Sequence, residues 1–169
     1  FNMGDAPAAL GCTAQDEPGY FRCSSAPKHH PDMEWYVAQS YPETGICWFK
    51  GIGKDVSTNG HGAPVKEAVD KIAAQVSNTY GASKKLDFLS SGSIWNEPHE
   101  WMRSVEQDER YYAYSIEGSG AEDLPNDVSS IYVGAGATSD RSGYVIVEVS
   151  YGNYARCEEI ENQQGSDSF

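Results

Sequence analysis

Trp95-Asn96-Glu97-Pro98-His99-Glu100-Trp101-Met102 is the densest run of chemistry-bearing side chains in this sequence. Two indoles, two carboxylates and an imidazole could stack a sugar ring and divide the acid and base steps of glycoside hydrolysis between Glu97 and Glu100. The same residues suit a protein interface, where Trp is a frequent anchor. Trp95, Trp101 and Met102 also suit a core that closes the open side of a sheet. The candidate binding set is therefore Trp95, Glu97, His99, Glu100, Trp101 and Met102, with no residue singled out as catalytic.

Other signatures fail on their spacing. Gly51-Ile52-Gly53-Lys54 sits before a helix, as a phosphate loop would. However, Trp48 stands where the first glycine is needed, and Asp55 replaces the Ser or Thr after the lysine. Val56 likewise breaks the dinucleotide pattern. Ser90-Ser91-Gly92-Ser93 is not a nucleophile elbow. His29, His30, His61 and His99 offer no i, i+4 pair, and His29-His30-Pro31-Asp32 could hold a metal only loosely. No cofactor or metal is expected.

These residues need elements to position them, and one helix is unmistakable. Val65, Ala68, Val69, Ile72, Ala73, Val76 and Tyr80 form an apolar stripe of 3.6-residue period. Pro64 suits the first helical turn, and Gly81 suits the left-handed position after the last. Cys47–Ile52 and Arg110–Glu117 read as strands, and Lys85–Leu89 as a weaker one. Val128–Ala137 and Gly143–Tyr151 are spaced as a hairpin around Thr138-Ser139-Asp140-Arg141-Ser142. Trp35–Ala38 is open to a strand or a helical turn, and residues 93–102 to a loop running into a short helix. Residues 118–127 read as a polar loop. The expected fold is an α+β two-layer sandwich: a mostly antiparallel sheet of about five strands, with one main helix (64–80) on one face. Residues 1–34 read as an irregular arm, 35–160 as the domain, and 161–169 as a frayed polar tail.

The four cysteines, Cys12, Cys23, Cys47 and Cys157, include no C-x-x-C pair. Two disulfides, Cys12–Cys23 and Cys47–Cys157, are the favoured pairing of three possible ones. Disulfides imply an oxidising compartment. No Asn begins an N-x-Ser/Thr sequon, which favours a bacterial exported protein. A start at Phe1-Asn2-Met3-Gly4 is expected of a processed or trimmed chain. No apolar run reaches the ~18 residues of a transmembrane helix. With 25 acidic and 12 basic residues the net charge is −13, which repels nucleic acid and anionic lipid. The partner expected is another protein, either cationic or a copy of this chain.

Pro31 and Trp35 precede an aromatic strand ending at Gly51 and Gly53, and a loop then leads to a helix with Ile72-Ala73-Ala74-Gln75-Val76-Ser77. This arrangement over residues 31–80 resembles the N-terminal unit of small bacterial outer-membrane lipoproteins and flagellar-assembly proteins. Tyr111-Tyr112-Ala113-Tyr114 is similar to a later Tyr-rich strand of that family. The resemblance implies an envelope protein with a structural or assembly role and no catalysis. The cysteines, the Trp95–Trp101 stretch and the final hairpin depart from it. The function expected is thus an exported envelope or periplasmic protein-binding or assembly domain. An acidic inhibitor or immunity-type protein that captures a basic enzyme is the alternative, and a small glycan hydrolase using Glu97 and Glu100 the second alternative.

Overall fold

The computed structural model describes residues 1–118 and 124–166, the side chain of residue 166 excepted. Half of the expected polar loop (119–123) and the end of the tail (167–169) lie outside the described residues. In chain order the elements are β1 (Thr13–Ala14), β2 (Tyr20–Cys23), β3 (Met33–Tyr41), β4 (Gly45–Gly53), β5 (Val56–Ser57), α1 (Ala63–Tyr80) and β6 (Lys84–Leu89). There follow α2 (Trp101–Glu106), β7 (Arg110–Glu117), β8 (Val128–Ser139), β9 (Ser142–Tyr151) and α3 (Tyr154–Ser166).

The expectation of about five strands with one helix is corrected: among the described residues there are nine antiparallel strands and three α-helices. Eight strands follow the order β1-β2-β3-β4-β9-β8-β7-β6, and β5 pairs with β9 beside that path. The extra strands come from segments with too little apolar alternation to announce themselves. β1 and β2 lie inside the stretch read as an irregular arm, where Phe21 pairs with Ala38 and Arg22 with Val37. Trp35–Ala38 belongs to a strand, not to a helical turn. The tail read as frayed is helix α3 as far as Ser166.

The chain divides into two compact units, each assembled from separate segments. The first comprises Phe1–Gly51, Glu117–Ile131 and Glu148–Phe169. Its buried residues include Met33, Tyr36, Ala38, Tyr41, Ile46 and Ile160. Both disulfides, Cys12–Cys23 and Cys47–Cys157, form here, and the second is fully buried. Among its described side chains, α3 offers Cys157, Ile160 and the partly buried Tyr154 to the core, packed with Tyr41 and Cys47. Glu161 adds a polar tie, accepting from Tyr20 Oη at 3.1 Å and Gln39 Nε2 at 3.3 Å. Burial and this carboxylate together push the Tyr20 phenol well above its ordinary pKa.

The second unit comprises Ile52–Ile116 and Tyr132–Val147. α1 occupies the span its periodicity dictates and buries Val65, Val69, Ile72 and Ala73. Gly62 precedes it at φ +70°, where a Cβ would stand 2.1 Å from the Trp101 ring. Only glycine combines that backbone with that approach. A Cβ on Gly143 of β9 would stand 2.7 Å from Val65 and 2.9 Å from Met102, so α1 and α2 both press on this point of the sheet.

Candidate functional site

The Trp95–Met102 stretch is split by the fold. Trp101 (5 % exposed) and Met102 (0 %) are core side chains. The Met102 N–H donates to the Gly60 carbonyl at 2.9 Å, which fastens α2 to the Asn59-Gly60-His61-Gly62 loop. Glu97 and Glu100 are brought together, but as a reciprocal cap on the turn Pro98–Glu100: each carboxylate accepts from a backbone N–H of the pair. The Glu97 N–H to Glu100 Oε2 distance is 3.1 Å. That mutual use accounts for both carboxylates structurally. His99 is exposed, and Trp95 is half-buried with the Arg103 guanidinium 5.8 Å from its ring centroid.

A different constellation, not evident in the sequence, lies where α1 faces β6 and β7. Lys85 Nζ donates to Tyr112 Oη at 3.1 Å, and Tyr112 Oη lies 2.8 Å from Asp70 Oδ1, to which it donates. Tyr114 Oη donates to the same Asp70 oxygen at 2.8 Å. The strand register sets this up: Lys85 pairs with Tyr114 and Asp87 with Tyr112, so all four side chains share one face. Arg110 reaches diagonally to Asp87 at 3.7 Å. Trp101 forms the floor, edge-on to Tyr112 at 5.9 Å, with Lys66 Nζ 4.4 Å from its centroid.

The electrostatics favour fixed charge over proton transfer. Burial, reinforced by the Asp70 carboxylate, pushes Tyr112 up to about 12. The hydrogen bond to Tyr112 raises Lys85 above the ordinary lysine value. Burial lowers Lys66, and the like charges of Arg110 and Lys85 act in the same direction. A general base needs a pKa close to the working pH. Tyr112 and Lys85 move away from neutrality, so at neutral pH the pair is a phenol and an ammonium ion held in place. Among the described residues no group of three His, Cys, Asp or Glu side chains is placed to hold a metal ion.

The other face of the same two strands carries exposed aromatic side chains. Phe88 and Tyr111 are cross-strand partners, stacked at 4.9 Å and 21° while 49 % and 38 % exposed. Ile94, in the loop after β6, is 73 % exposed. β6 itself ends the strand path, and among the described residues β7 is its one strand partner. Its outer row of backbone donors and acceptors is therefore available to another strand. The sequence showed β6 only as a weak strand, because what distinguishes it is its place at the sheet edge.

The β6 edge thus has an exposed aromatic pair on one face and hydrogen-bonded and ion-paired charges on the other. Comparison with models of protein families, with curated proteins and with solved structures finds no match.

Proposed function

We propose that the chain is a non-catalytic protein-binding domain of an exported compartment, the bacterial envelope or periplasm, whose contact surface is the β6 edge. The observation that carries this reading is the Phe88–Tyr111 stack, exposed on both rings beside a strand with one side unpaired. Two disulfides support the oxidising compartment. Among the described residues no helix is long and apolar enough to cross a membrane. A structural or assembly role fits a surface that offers backbone pairing and aromatic area.

Binding tests this directly. The disulfide-intact protein should retain a stoichiometric partner from the exported fraction, its own copies included. Phe88→Arg with Tyr111→Arg should reduce that retention at least tenfold while leaving the circular dichroism spectrum unchanged, since both rings are exposed. Undiminished retention by the double variant would place the contact elsewhere.

A further inference from the structure

The β6 sequence, Lys84-Lys85-Leu86-Asp87-Phe88-Leu89, is complementary to itself in one register, and this identifies a partner. We infer that the β6 edge receives the β6 edge of a second copy, antiparallel, around a two-fold axis at Leu86. This deepens the reading of β6 as a protein-binding edge and rests on it.

The register follows from charge. A two-fold axis normal to the sheet keeps each face continuous between copies, so it must lie midway between one residue and that residue's own copy. Centred on Leu86, Lys85 of each copy stands opposite Asp87 of the other, giving two symmetric ion pairs on one face. On the other face Leu86 meets Leu86, and Lys84 lies over Phe88, where its stem packs on the ring and its ammonium approaches the π-face. Shifting the axis to Asp87 sets aspartate against aspartate, and shifting it to Lys85 sets lysine against lysine. Parallel pairing in register stacks every lysine on its copy. Each favourable cross-strand pair is worth about 0.2–1 kcal/mol, and like charges directly opposite cost free energy.

Lysine on an edge strand ordinarily discourages such pairing. Here Asp87, two residues on and on the same face, converts the deterrent into a register signal. Lys85 and Asp87 are both exposed and ordered, the first by Tyr112 and the second by Arg110. Little side-chain entropy is then lost when they pair. The opposite end of the strand path, β1, is two residues long and offers no comparable edge. The contact is small, so the dimer is a concentration-dependent one. Because each copy carries a net −13, association strengthens as salt screens the long-range repulsion. An acidic peptide captured by Lys84 and Lys85 would instead be released by salt.

Sedimentation equilibrium of the purified, disulfide-intact protein tests this. Wild type should pass from monomer to dimer as concentration rises, and Leu86→Lys should weaken the dimer at least tenfold. Lys85→Asp and Asp87→Lys should each be monomeric alone but dimerise when mixed, because the mixture restores both opposite-charge pairs. Since Lys85→Asp also loses the Tyr112 hydrogen bond, Leu86→Cys gives an independent readout. It should form an 86–86 disulfide under mild oxidation, which a cysteine at position 84 should not do with itself. A wild type that stays monomeric, with no Leu86→Cys cross-link, overturns the self-pairing. If the Phe88/Tyr111 variant still loses a heterologous partner in that case, the edge-binding reading survives. A dimer indifferent to Leu86→Lys and to the mixed charge variants overturns the register.

Discussion

Tyr112 shows how one side chain can be tied so firmly that its chemistry is given up. It donates to Asp70, accepts from Lys85 and packs edge-on against Trp101. Its pKa rises from an ordinary 10.0 to about 12, mainly through burial. The folded state therefore holds the phenolic proton where the unfolded state releases it. Tyr112 thus contributes stability in full below pH 10, and that contribution is lost as pH rises to about 12. Tyr112→Phe cannot ionise and should flatten this part of the alkaline decline, which denaturant midpoints followed upward from pH 10 will measure. At the same scale, the sequence presented Glu97, His99 and Glu100 as candidate chemistry. Residue type was legible there, but use was not: the two glutamates serve each other's backbone, and nothing in their spacing separates a capping box from an acid–base pair.

Among the elements, α1 was legible because an 18-residue helix with one apolar stripe follows from periodicity alone. β7 was equally plain from the alternation in Arg110–Glu117. α3 was hidden because, among its described side chains, only Cys157 and Ile160 are buried, and its docking depends on a disulfide to Cys47, 110 residues back in sequence. β1 and β2 were hidden because β2 has one fully buried residue, Cys23, and is defined by its pairing with β3. The pairing Cys47–Cys157 was recoverable because Cys47 lies in a strand legible in the sequence and Cys157 follows the last strand. Removing it with Cys47→Ala and Cys157→Ala should cost about 2–5 kcal/mol. Hydrogen exchange should then accelerate across α3 and leave α1 protected, because α1 lies in the other compact unit. Uniform loss of protection in both helices would show that α3 is not an independently tethered element.

For the whole molecule, composition bounded the possibilities more than it identified them. A net charge of −13 disfavours nucleic acid and anionic membranes, yet it does not show that the β6 edge carries two lysines against one aspartate. Sheet order decides which strand ends exposed, and it arises from pairings far apart in sequence. β9, for example, takes its place between β4 and β8. No linear motif marks an edge that arises this way. The most direct measurement is photo-cross-linking from position 88, with a benzophenone side chain replacing Phe88 and the same group at exposed Glu43 as the control. In the exported fraction, or with the pure protein at high concentration, the β6 account expects a discrete adduct from position 88 and none from position 43. No adduct from position 88, or the same adducts from both positions, would contradict it.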